Sequence, residues 1–165
     1  VAGAPSINPK LSQYDNLIVI RTLSKAFGLA GCRVGYGVAQ KEVIDALGLT
    51  KLVYNMNILS QNAALAAMDY ADEILAHNIP PTLAARQHFM DALKDVPNLT
   101  VYPSATNFVL VRVPDGPAMV KALHDADICV RSYKAADLKN CLRIPITTDD
   151  VVRRVVAVMT EEAKK

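Results

Sequence analysis

The sequence predicts an α/β fold in two bodies joined by a helical stretch. Three observations carry this. Short β-branched runs alternate with stretches of helical periodicity. Four glycines, Gly28, Gly31, Gly35 and Gly37, crowd one early segment. Residues 57–76 are rich in Ala and Leu and hold neither glycine nor proline. The expected parts are 1–56, a long helix between domains over 57–80, and a small α/β body over 81–165.

Each element has its own signal. The opening, VAGAPSINPKLSQYDN, reads as a loop without the basic and apolar regions of a signal peptide. Residues 16–22 (NLIVIRT) follow as a buried strand, and RVGYGV over 33–38 has strand character. A short helix suits 41–47. The long helix starts at Asn57 or Ser60 as N-cap and is ended by Pro80 and Pro81. A new helix begins there, with Leu83, Met90 and Leu93 on its apolar face. Strands are expected over 99–102, 107–113, 128–131 and 142–146, with a helix over 117–126. Thr147 and Asp150 resemble a capping box that opens a last helix. Its stripe is Val151, Val152, Val155 and Met159.

Composition excludes several classes. A net charge of +2 with scattered basic residues does not point to nucleic acid or an anionic membrane. No apolar run approaches the roughly 18 residues of a span. Cys32, Cys129 and Cys141 lack metal-ligand or disulfide spacing, so they are expected as buried small hydrophobes in a cytoplasmic protein. No metal site is expected. His77, His88 and His124 have no partner at useful spacing.

The chemistry concentrates in TLSKAFGLAGCRVG. Lys25 lies just past an apolar strand, where ligand sites of α/β sheets tend to fall. Thr22 and Ser24 flank it, and Arg33 lies eight residues on. A lysine among apolar groups loses its preference for the charged form, and the neutral amine is a nucleophile. Hydroxyls, backbone N–H groups and an arginine hold phosphate. The residue types by themselves also allow a surface lysine followed by turn glycines.

The order of the segment goes further. Residues 16–36 resemble the active-site signature of the fold-type-I, pyridoxal-phosphate-dependent aminotransferases. The nearest pattern is that of the histidinol-phosphate aminotransferase branch, NLIVxRTLSKAFGLAGxRxGY. The resemblance implies a fold-type-I transferase, with part of the large domain followed by the small C-terminal α/β domain. It implies pyridoxal 5'-phosphate as cofactor and Lys25 as both the amine that condenses with it and the catalytic base. Arg33 would pair with the cofactor phosphate, with Thr22 and Ser24 adding hydroxyl contacts. The implied reaction exchanges histidinol phosphate and 2-oxoglutarate for imidazole acetol phosphate and glutamate. A homodimer is implied for the complete enzyme.

Four residues are candidates for the substrate. Arg143 sits in an apolar strand. It either faces solvent at an edge or, if buried, needs an anion. The resemblance makes it the carboxylate-binding arginine of the family's LRIxxG segment. Arg131 is either a solvated strand-end residue or the grip on a distal phosphate. Asn107 stands where relatives open the small-domain strand, or simply makes a turn. Tyr54 belongs to a YNMN segment similar to the family's PYNVN. It would border the substrate, while Asn57 caps the following helix.

The resemblance covers nearly all 165 residues but only the later part of the family's chain. The family's glycine-rich phosphate loop, its stacking aromatic and its Asp-x-x-Tyr fall upstream of the match. The 165 residues by themselves are therefore expected to be inactive. Cys32 replaces the usual Leu, and Thr147 stands where Gly is frequent. An aromatic transaminase and a threonine-phosphate decarboxylase share the signature, and an α/β interaction domain without cofactor is the non-enzymatic alternative.

Overall fold

The computed structural model describes residues 5–165. The chain divides into two compact units, one ending at Asn78 and one running Ile79–Lys165.

In the first unit, β1 (Val19–Thr22) and β2 (Gly35–Val38) form an antiparallel ribbon, with Thr22 opposite Gly35. The β-branched run supplies β1, but its first residues lie outside the ladder. Gly35 has a close-approach reason: a Cβ there would stand 2.7 Å from the Arg21 carbonyl oxygen. Helix α1 (Lys41–Thr50) follows, then α2 (Ile58–Asp69). Asn57 caps α2, its side chain accepting from the Ser60 N–H at 2.9 Å. The small core of this unit is Leu23, Val34 and Ala64, with Phe27, Leu29, Cys32 and Met56 against it.

The helical run departs from expectation. It breaks at Tyr70, and α3 (Ala71–Leu93) then runs straight through Pro80 and Pro81. Those prolines withdraw the N–H groups that Ala76 and His77 carbonyls would use. Both residues are exposed, so water can take the freed carbonyls. Acidic Asp72 and Glu73 sit in the first turn, which favours the new start. The buried face further along is Ala85, Phe89 and Leu93, spaced by four.

The second unit is a four-stranded antiparallel sheet in the order β3-β4-β6-β5. The strands are β3 (Thr100–Val101), β4 (Phe108–Arg112), β5 (Arg131–Ser132) and β6 (Cys141–Pro145). Helix α4 (Gly116–Asp125) follows β4 and α5 (Asp149–Glu162) closes the chain. Alternation sorts the sheet into two faces. Val109, Val111, Leu142 and Ile144 are buried with Phe89, Leu93, Met119, Leu123, Val152, Val155 and Met159. Phe108, Leu110, Arg112 and Arg143 take the other face and are only half-buried.

Several local features differ from the sequence expectation. Ile128 is buried but outside β5, because Asp127 has a left-handed φ of 58° and the chain is still turning out of α4. The cap of α5 is Thr148, and Thr147 makes no box with Asp150. The Asp150 carboxyl instead lies below the ordinary range, chiefly through a hydrogen bond with Thr148. Of the cysteines only Cys141 is buried, and Cys129 is exposed. His88 does have a partner: its Nδ1 is 2.7 Å from Asp149 Oδ1, 61 residues away in the chain.

Candidate active site

The first cluster is the loop between β1 and β2. Leu23 turns inward and is almost wholly buried, and its N–H donates to the Val34 carbonyl at 3.1 Å. The ladder thus continues one residue past Thr22, and the chain then turns out. The Gly28 N–H donates to the Lys25 carbonyl at 3.0 Å and closes a turn. Gly28 has φ +69°, which a side chain would resist. Leu29 returns, donating to the Leu23 carbonyl at 3.1 Å. With both stems fixed in the small core, Lys25 is carried on a closed, outward turn.

Thr22, Ser24, Lys25 and Arg33 therefore belong to one loop. The Thr22 hydroxyl donates to Ser24 Oγ at 3.0 Å and accepts from the Ser24 N–H at 3.1 Å. Arg33 has a left-handed backbone, φ 56°, and donates from Nη1 to the Ala30 carbonyl at 3.1 Å. A non-glycine residue in that region is held there by its surroundings, and such strain gathers at functional sites. Lys25 is exposed, and its amine makes no hydrogen bond or ion pair among the described residues. The apolar enclosure expected around its amine is thus not supplied by those residues.

One contact of this loop was invisible in the sequence. Asn78, on α3, donates from Nδ2 to the Ala26 carbonyl at 2.8 Å. It holds the backbone next to Lys25 from 52 positions away.

The second cluster lies on the half-buried face of the four-stranded sheet. Arg131 and Arg143 are direct partners across β5 and β6. Such pairs put their side chains on the same face, and like charges there repel. The chain has eight arginines. Arg21, Arg33, Arg86, Arg112, Arg153 and Arg154 each donate a hydrogen bond. Arg131 and Arg143 donate none among the described residues, and each lies over an aromatic ring. The Arg143 guanidinium carbon is 4.2 Å from the Phe108 ring centre and that of Arg131 is 5.6 Å from Tyr133. Free guanidinium N–H forks are donors of the kind that grip carboxylate or phosphate oxygens.

The other two candidates are simpler. Asn107 immediately precedes β4, and its carbonyl accepts from the Ile146 N–H at 2.9 Å. Tyr54 lies before α2 at 95% exposure, touching little of the described chain. Phe108 and Tyr133 escaped notice because an aromatic residue in or beside a strand ordinarily reads as packing. Among the described residues, no three His, Cys, Asp or Glu side chains are grouped as a metal site. No helix among the described residues is long and apolar enough to cross a membrane.

One strand-turn-strand thus carries an unpartnered lysine amine, two hydroxyls and an arginine on an α/β frame. The chain belongs to the aminotransferase class I and II family, whose model matches residues 1–159. It is 37% identical over 146 residues to the histidinol-phosphate aminotransferase of Ruminiclostridium cellulolyticum. That match takes in 88% of this chain and 40% of the relative. The chain thus spans about two fifths of the length of the curated relatives it matches. A solved structure from Erwinia carotovora atroseptica, provisionally assigned as a histidinol-phosphate aminotransferase, superposes with a TM-score of 0.85 at 31% identity. The superposition covers 98% of this chain and 46% of that one. The histidinol-phosphate aminotransferase of Sinorhizobium meliloti, solved with pyridoxal 5'-phosphate, gives 0.71 at 31% identity. It covers 91% of this chain and 42% of that one.

Proposed function

We propose that the complete protein is a pyridoxal-phosphate-dependent aminotransferase. It exchanges histidinol phosphate and 2-oxoglutarate for imidazole acetol phosphate and glutamate. The observation that carries the substrate side is the pair Arg131 and Arg143, the two arginines whose guanidinium groups make no hydrogen bond among the described residues. A reaction whose substrates carry a phosphate or carboxylates at their ends supplies the anions this pair lacks. Names of relatives at 37% and 31% identity support the same reading.

The cofactor loop fits its ligand by donor chemistry. Lys25 offers a primary amine with no competing partner, and an aldehyde condenses with such an amine. Thr22, Ser24 and Arg33 offer two hydroxyls and a guanidinium to the phosphate. When bound, pyridoxal 5'-phosphate supplies an electron-withdrawing ring that accepts the electrons of a C–H bond beside the amine nitrogen. Lys25 Nζ takes the substrate Cα proton and later returns it. The closed turn from Lys25 to Gly28 and the Asn78 bond to Ala26 hold that amine's backbone in place. Arg143 takes a carboxylate, or its equivalent on the amine substrate, and Arg131 takes a distal phosphate. Asn107 opens the strand that carries the substrate side, and Tyr54 borders the substrate.

In this reading residues 1–56 belong to the large domain, 57–80 connect, and 81–165 form the small domain. The protein works as a cytoplasmic homodimer on small molecules, without nucleic acid or membrane partners.

Borohydride treatment of the complete, cofactor-loaded protein tests the reading. Peptide mapping should find the reduced cofactor fixed to Lys25, and Lys25→Ala should lower turnover by about 10²- to 10⁴-fold. Label on another residue, or none, removes Lys25 from the chemistry.

A further inference from the structure

We propose that Phe108 is a positioning residue for Arg143. Its ring sets the guanidinium's place without using any of the guanidinium's N–H donors. The inference rests on the anion-binding role proposed for Arg143.

The argument comes from two arginines on one sheet face. Arg112 and Arg143 both lie on the half-buried face, with Leu110 opposite Arg143 and Arg112 opposite Cys141. Arg112 is held by hydrogen bonds. Its Nε donates to Tyr102 Oη at 3.2 Å, Nη1 to the Lys139 carbonyl at 3.0 Å and Nη2 to the Asp137 carbonyl at 3.1 Å. Its fork is committed to the fold. Arg143 is as much a part of the sheet, yet makes none of these bonds. What fixes it is the Phe108 ring, 4.2 Å from its guanidinium carbon.

Register explains the contact. Phe108 is two residues from Leu110 on β4, so it is the diagonal same-face neighbour of Arg143. A ring face attracts a cation through its quadrupole and leaves the in-plane N–H groups free. The platform is itself pinned. The Phe108 carbonyl accepts from the hydroxyls of Ser104 and Thr106, and the Thr106 N–H donates to Ser104 Oγ at 3.1 Å. An arginine anchored in this way keeps a pre-oriented fork available for a planar or tetrahedral anion, with less side-chain freedom to lose on binding. Across the sheet, the like charge of Arg131 would otherwise push the Arg143 side chain away.

The test uses the complete, cofactor-loaded enzyme with histidinol phosphate as varied substrate. Fluorinated phenylalanines of increasing substitution at position 108 weaken the ring's negative face while nearly keeping its shape. KM should rise stepwise, by about three- to ten-fold at the most fluorinated ring, with kcat falling less than KM rises. Phe108→Leu should raise KM similarly, and Phe108→Tyr should restore most of the loss. A KM that stays flat across the fluorinated series overturns the proposal, even if Phe108→Leu folds poorly. Arg143→Gln separates the two readings. If it raises KM well over ten-fold while fluorination does nothing, only the role of Phe108 is lost. If it leaves KM unchanged, the anion-binding role of Arg143 is lost, and this inference with it.

Discussion

Arg131 stands directly across the sheet from Arg143, and neither guanidinium meets a hydrogen-bond acceptor among the described residues. The fold thus keeps two like charges at close register without a neutralising group. Arg131→Gln should raise the melting temperature in low-salt, anion-free buffer, by about 0.2–1 kcal/mol in stability. The gain should shrink as salt screens the pair. A variant that is destabilised at low salt would mean that Arg131 is held by something favourable.

The same pair predicts ligand stabilisation. Inorganic phosphate should raise the melting temperature of the unaltered protein in a saturable way, by about 2.7 kcal/mol at a hundred times its dissociation constant. Arg143→Gln should abolish most of that response. An equal response in the variant would place the phosphate elsewhere.

Gly35 faces the Arg21 carbonyl across the ribbon that carries Lys25. Gly35→Ala would put a methyl group 2.7 Å from that backbone oxygen, and neither strand can yield by a side-chain rotation. The expected cost is about 1–3 kcal/mol, read by chemical denaturation. Faster hydrogen exchange at the Leu23 and Gly28 amides should accompany it, because the loop stems depend on this register.

Asp149 links α3 and α5. Its carboxyl is held below the ordinary range, first by the His88 hydrogen bond and then by that of Arg153. A depressed folded value makes the contribution full above the unfolded carboxylate range near pH 4. It disappears as pH falls through the lower folded value. Thermal melts should therefore show stability dropping below about pH 4, with a shallower drop in Asp149→Asn. Parallel acid limbs in the two proteins would rule the linkage out.

Much of the fold could be read along the chain, because local patterns decide it. The run LIVIRT gave β1, NFVLVRV gave β4, and the spacing of Val152, Val155 and Met159 gave the buried stripe of α5. The loop with Thr22, Ser24, Lys25 and Arg33 was legible because all its members lie within twelve positions. The misses share another cause. Nothing local breaks the helix at Tyr70, and prolines normally do break one, so the joint was expected at Pro80. Phe108 under Arg143, Arg131 opposite Arg143, Asn78 on Ala26 and His88 on Asp149 are all products of tertiary register. No spacing along the sequence encodes them. The exposure of Lys25 belongs here too, since an apolar strand before a lysine says nothing about what covers its amine.

Sixteen large hydrophobic side chains are left exposed among the described residues, from Ile7 to Tyr70, and none beyond. The later unit closes its own core with helices packed on a four-stranded antiparallel sheet, whereas the earlier one has a two-stranded ribbon and a small cluster of Leu23, Val34 and Ala64. Among the described residues, the earlier unit thus leaves greasy surface that its own side chains do not cover. Contiguous apolar surface of this kind is where further polypeptide packs or clumping begins. Handling the 165 residues by themselves should call for cold, dilute solutions.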